Sequence, residues 1–126
     1  MSNVGIVLIS HSPKVVEGIK DIIRQVIHNV PIELAGGTED DEIGTSVDKI
    51  QQAINRAHNE KGVLLLFDLG SAMMNAELAV ELSDYDNIKV AENVPLLEGA
   101  YVAAVESGLG KSIDEVLESA KACLDL

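Results

Sequence analysis

The sequence predicts a doubly wound α/β domain, with a mainly parallel sheet of four to five strands covered by helices on both faces. Three observations carry that expectation. Short apolar or alternating runs of strand length recur at 4–9, 32–35, 63–67 and 88–91. Each is followed by turn residues and then by an apolar pattern of helical spacing, which is βαβα order and implies right-handed crossovers between parallel neighbours. The 126 residues suffice for one such domain and not for two of typical size, so 1–126 are expected to form a single unit.

The first strand, "VGIVLI" over 4–9, is a continuous apolar run. A helix over 13–27 follows, in which Val15, Val16, Ile19, Ile22, Ile23, Val26 and Ile27 fall at the spacing that lays one stripe on a sheet. The run 32–35 leads to a second helix carrying Val47, Ile50, Ile54 and Ala57. After 63–67 comes a third helix over 71–82, where Met73 and Met74 read as packing residues. The run 88–91 leads to a fourth, over 95–107. Leu96, Leu97, Ala100, Tyr101, Val102 and their neighbours through Val105 cover more of its circumference than one sheet-facing stripe needs. A helix apolar nearly all round needs a second surface, which predicts a homodimer built partly on this helix. The fifth helix, 113–124, closes the chain and carries Cys123 as a passive residue.

In such a fold every strand-to-helix joint opens on one edge of the sheet, where ligands gather. The joints here are polar: "SHSP" from Ser10, "GGTEDDEIGTS" from Gly36, "DLGS" from Asp68 and "ENVP" from Glu92. Ser12, Thr45, Ser46 and Asn93 suit helix starts, and capping alone would explain each of them. Several helix N-termini on one rim nevertheless make a place to hold an anion.

Of the three histidines, His28 and His58 lie near the ends of helices one and two, where a polar surface role is expected. His11 follows a buried strand and faces the rim, so it serves either chemistry or a local hydrogen bond. Asp68 favours chemistry. It ends the third strand at the same rim, and a carboxylate there can hold one imidazole nitrogen and leave the other as a nucleophile.

Composition narrows the function. With two Tyr, one Phe and no Trp there is no base-stacking platform, and a formal charge of −12 repels phosphate backbones and anionic lipid. Neither nucleic acid nor membrane is therefore an expected partner, and protein partners should present basic faces. No run approaches the ~20 apolar residues needed to span a bilayer. One cysteine makes no internal disulfide and no signal peptide precedes Val4, so the expected compartment is a reducing cytoplasm. Glu39, Asp40, Asp41 and Glu42 read as a solvated acidic loop, not a metal cage. There is no G-x-G-x-x-G, no Walker lysine loop and no G-x-S-x-G elbow, which argues against a self-contained nucleotide site or a serine hydrolase.

Four segments in order, "VGIVLISHSPKVVEG", "AGGTEDDEIGTS", "DLGSAMMNAE" and "PLLEGAYVAAV", resemble the phosphocarrier subunits of phosphoenolpyruvate-dependent dihydroxyacetone kinases, the DhaM family. The likeness spans essentially the whole chain and implies the fold of mannose-type enzyme IIA domains of the sugar phosphotransferase system. It also implies that His11 accepts a phosphoryl group from the phosphocarrier protein HPr. From His11 the group would pass to ADP held on a nucleotide-binding kinase subunit (DhaL), which serves the dihydroxyacetone-binding subunit (DhaK). A homodimer is implied as well. No cofactor is then expected on this chain, and nucleotide and magnesium belong to the partner.

Gly70, Ser71, Ala72 and Met73 stand where mannose-type sugar enzymes usually continue Gly-Gly-Ser-Pro, which favours the dihydroxyacetone branch over the sugar-transport one. Some family members append HPr-like and enzyme-I-like domains; this sequence has none, so a separate donor protein is expected. Within this resemblance Asp68 orients His11. Thr38, Gly70 and Ser71 are candidate donors to phosphoryl oxygens, Gly37 and Gly70 allow close backbone approach, and Thr45 and Ser46 hold the rim as caps. A receiver-like module phosphorylated on aspartate is the weaker alternative, because the first strand lacks paired acids at its end. A non-catalytic interaction domain is the other.

Overall fold

The apolar runs pair as parallel strands. A computed structural model describes residues 2–123. Along the chain run β1 (Gly5–Ser10), α1 (Pro13–Arg24), β2 (Ile32–Gly36), α2 (Val47–Ala57), β3 (Val63–Phe67), α3 (Ser71–Glu81), β4 (Ile88–Val90), α4 (Leu96–Gly108) and α5 (Ile113–Ala122). The strands form one four-stranded sheet in the order β2-β1-β3-β4, every pair parallel. This is the expected doubly wound fold, and four is the strand count among the described residues.

Side chains alternate across a strand, so β1, buried along its whole length, feeds two cores. On one face Ile6, Leu8, Leu64 and Leu66 pack with Val16, Ile19 and Ile23 of α1, Ala100, Ala103 and Ala104 of α4, and Val116 and Ala120 of α5. On the other, Val7, Ile9 and Leu65 pack with Ile50, Ala53 and Ile54 of α2 and with Ala72, Ala76 and Ala79 of α3.

Several local expectations are corrected. Helix one stops at Arg24, where the chain tightens and the N–H groups of Gln25 and Val26 turn to carbonyls three residues back, Ile22 at 3.3 Å and Ile23 at 3.0 Å. Its apolar stripe is also wider than the sheet can cover, and Val15, Ile22 and Val26 are exposed. Met74 is not a packing residue. α3 turns its alanines to the sheet, and position 74 lies roughly 200° round the helix from Ala72 at ~100° per residue, which leaves Met74 77% exposed. Much of the apolar circumference of α4 is covered within the chain by α5, leaving Leu97 exposed and Tyr101 and Val102 half-buried. These three, with Ile22, Glu98 and Cys123, line an apolar hollow of about 350 Å³.

Helix starts divide likewise. Ser46 caps α2 through the Lys49 N–H, whereas Ser12 makes no side-chain cap and α4 begins after Pro95, not on Asn93. Ser112 forms a capping box with Glu115 at α5 that the sequence reading passed over. The expected end of helix five at Leu124 lies outside the described residues.

Candidate functional site

The chain makes β2 between β1 and β3, yet β1 and β3 are neighbours. The strand order therefore reverses between them, with α1 leaving to one face and α3 to the other. A crevice opens at such a switch point beyond the carboxyl ends of the strands. His11 follows β1 and Asp68 follows β3. The register that sets Ile9 against Phe67 brings the two side by side.

The geometry is closely specified. His11 Nδ1 lies 3.0 Å from Asp68 Oδ1, and the Ser71 hydroxyl lies 3.0 Å from His11 Nε2. The other carboxylate oxygen, Oδ2, accepts the Ser10 hydroxyl at 2.8 Å and the His11 backbone N–H at 3.0 Å. Oδ1 also accepts the Leu69 N–H at 2.7 Å. Burial pushes the Asp68 carboxyl up, but the His11 N–H, the His11 ring, the Ser10 hydroxyl and the Leu69 N–H together hold it below the usual carboxylate range. An ionised carboxylate offers only lone pairs, so Nδ1 carries the ring hydrogen and donates it to Asp68. Nε2 is then the basic nitrogen, accepting from Ser71. The His11 and Asp68 side chains are 23% and 21% exposed, so the ring is held from within and open at its far edge.

The structure thus joins His11, Asp68 and Ser71. Gly70 and Ser71 begin α3, where backbone N–H groups have no intrahelical acceptor. Gly70 has ordinary helical φ and open space around it, so a Cβ there would meet no neighbouring atom within 4 Å. Gly37 serves the fold. Its N–H donates to the Ser10 carbonyl at 3.0 Å, and at φ +76° a Cβ would meet Pro13 Cγ at 2.7 Å. Thr38 does not bond to the ring; its hydroxyl accepts the Glu42 N–H and closes the acidic loop. That loop reaches the site through Gly44, whose N–H donates to the His11 carbonyl at 2.9 Å. Ser46 is the expected cap, but Thr45 is not one; its hydroxyl accepts from Asn75 of α3 at 2.6 Å and ties the rim to that helix instead.

The remaining residues lie elsewhere. His28 is exposed beyond the end of α1. His58 caps α2, bonds Asn87 Oδ1 at 2.9 Å and stacks on Tyr85 with ring centroids 3.5 Å apart. Asp41 pairs with Lys49, and the Glu39 carboxyl is raised by its hydrogen bond to Asp48 and by that group's charge. Among the described residues no group of three acidic, His or Cys side chains is placed to hold a metal, and no helix is long and apolar enough to cross a membrane. Ser10 is the residue that sequence reasoning missed. Its signal was a hydroxyl ending an otherwise apolar strand. Next to Asp68 lies a cleft of about 640 Å³, lined by Phe67, Gly70, Met73, Glu92, Asn93 and Pro95 among others.

Comparison with known proteins gives the family and the fold. Residues 5–117 match the EIIA-man family, described as PTS system fructose IIA component. The chain is 43% identical over 116 residues to the phosphotransferase subunit DhaM of the PTS-dependent dihydroxyacetone kinase of Lactococcus lactis, covering 90% of each chain. It is 46% identical over 102 residues to the phosphoryl donor subunit DhaM of PEP-dependent dihydroxyacetone kinase 1 of Listeria innocua, covering 81% of this chain and 80% of the relative. A crystal structure of a protein of unknown function is 32% identical with a TM-score of 0.85, covering 96% of this chain and 94% of the other.

Proposed function

The chain belongs to the EIIA-man family and, within it, to the DhaM proteins, and from that premise we propose that it is a phosphoryl carrier working through a phosphohistidine at His11. One observation supports this most directly. Asp68 occupies Nδ1 at 3.0 Å and leaves Nε2 as the nucleophile at the open edge of the site. In the uptake step the Nε2 lone pair attacks phosphorus in line with the departing nitrogen of phospho-HPr. The donor P–N bond breaks, its electron pair returns to the donor imidazole, and that ring takes up a proton.

The His11 ring gains imidazolium character as the new P–N bond forms. Its Nδ1–H then faces a carboxylate already in place, so Asp68 stabilises the transition state more than the resting ring. The Ser71 hydroxyl, which holds Nε2 at rest, turns to a phosphoryl oxygen, joined by the N–H groups of Gly70 and Ser71 at the positive end of α3. Discharge reverses the geometry. A terminal oxygen of ADP on the nucleotide-binding kinase subunit attacks, and the electron pair of the broken P–N bond returns to Nε2. Nucleotide and magnesium belong to that partner, and this chain acts as a homodimer in the cytoplasm.

The test is incubation with phosphoenolpyruvate, enzyme I and HPr. The expected product is a phosphoramidate, stable in base and lost in acid, that is discharged by ADP only when the nucleotide-binding subunit is present. A base-labile acyl phosphate would instead mean transfer to a carboxylate, and absence of label would leave a binding module.

A further inference from the structure

We propose that Ser10 is a positioning residue for phosphoryl transfer, its buried hydroxyl fixing Asp68 so that Oδ1 meets the His11 ring. The proposal rests on the phosphohistidine reading of His11. Ser10 is fully buried at the end of β1, its backbone locked in register with Gly36 and its carbonyl bonded to Gly37. A hydroxyl has one hydrogen to give. Ser10 gives it to Asp68 Oδ2 at 2.8 Å while its oxygen accepts the Ser12 N–H at 3.0 Å, so its orientation is set from both sides.

Oδ2 is thereby pinned by two groups of the β1–α1 joint, the Ser10 hydroxyl and the His11 N–H. Pinning Oδ2 fixes the carboxylate plane, and the plane decides whether Oδ1 faces Nδ1. The ring and Ser10 are the two side chains in the set; the other donors are backbone. A purely structural hydroxyl at a strand end would need no carboxylate partner from the next strand.

Losing Ser10 would leave a partly buried anion with one donor fewer. Its charged and titratable neighbours are His11 in the β1–α1 joint and Glu92 across the cleft from the β4–α4 joint; the first turn of α3 contributes no acid. The Asp68 carboxyl should then titrate at higher pH.

Ser10→Ala removes atoms only and tests this directly. Two measurements apply: NMR titration of the Asp68 carboxyl and the His11 ring in the unphosphorylated protein, and single-turnover labelling by phospho-HPr across pH. The Asp68 titration should move up. Labelling should slow about tenfold to a hundredfold, the range seen when outer hydrogen-bond partners of metal-ligating side chains are removed, at unchanged KM for the donor. Ser10→Thr, which keeps the hydroxyl, should restore both.

A Ser10→Ala protein that melts earlier but keeps the wild-type Asp68 titration and labelling rate would overturn the role of Ser10 alone. Wild-type protein that takes no label would overturn the phosphohistidine reading and this role with it.

Discussion

In the proposed transfer, the chemistry at His11 turns on which nitrogen holds the hydrogen, and the bond to Asp68 Oδ1 sets it. His11→Ala should keep the fold and lose labelling, while His28→Ala and His58→Ala label normally, because neither ring is at the switch point. Asp68→Ala should slow transfer about 10²- to 10³-fold, or ~3 to 4 kcal/mol, with donor binding nearly unchanged. Were Asp68 only a helix cap, its loss would cost about 1 kcal/mol of stability and little rate, so melting and single-turnover transfer on the same protein separate the two. The sign of the pH dependence follows from the depressed carboxyl. A folded pKa below the ordinary 3.8 gives stability that is present above that value and is lost as pH falls through the folded one. Acid unfolding of Asp68→Asn should therefore be flatter than wild type below that pH.

At the level of elements, α3 and α5 show how local chemistry sets placement. α3 has apolar residues on both sides, and small Ala72, Ala76 and Ala79 lie against the sheet. The consequence is a helix whose N-terminal Ser71 reaches the ring and whose Met74 faces out. α5 is a short helix held at its start by the Ser112 and Glu115 box, with Glu115 kept below the usual range first by the Ser112 N–H and then by its hydroxyl. Ser112→Ala should cost about 1 kcal/mol, read as a lower Tm with unchanged labelling, because the box lies outside the site. A change in labelling rate would mean that α5 reaches the site through α4.

For the whole molecule, charge and apolar surface give two further expectations. A chain of charge −12 that docks on a donor by electrostatic steering should accept phosphoryl more slowly as ionic strength rises. A second-order rate flat across salt would require shape and apolar contact instead. The hollow between α1, α4 and α5, with exposed Ile22 and Leu97, is the surface on which the dimer prediction now rests, since α5 already covers much of α4. A dimeric mass at micromolar concentration is expected, weakened by Leu97→Glu. A monomeric wild type would remove both the dimer and the role of this hollow.

The sequence by itself determined the alternation of elements, the parallel sheet and the pairing of His11 with Asp68. Strand runs such as 63–67 are bounded by turn residues, and the joints of a doubly wound fold must share one edge. Its limits are equally physical. Periodicity marks which residues can be buried, not what buries them, so it could not tell that Val15, Ile22 and Met74 stay exposed or that α5 packs on α4. Thr38 and Ser71 are both rim hydroxyls in the sequence. Only the tertiary structure put Ser71 on Nε2 and turned Ser10 to the carboxylate, because those two contacts span some sixty residues and depend on strand register and side-chain direction, and only it closed Thr38 onto its own loop.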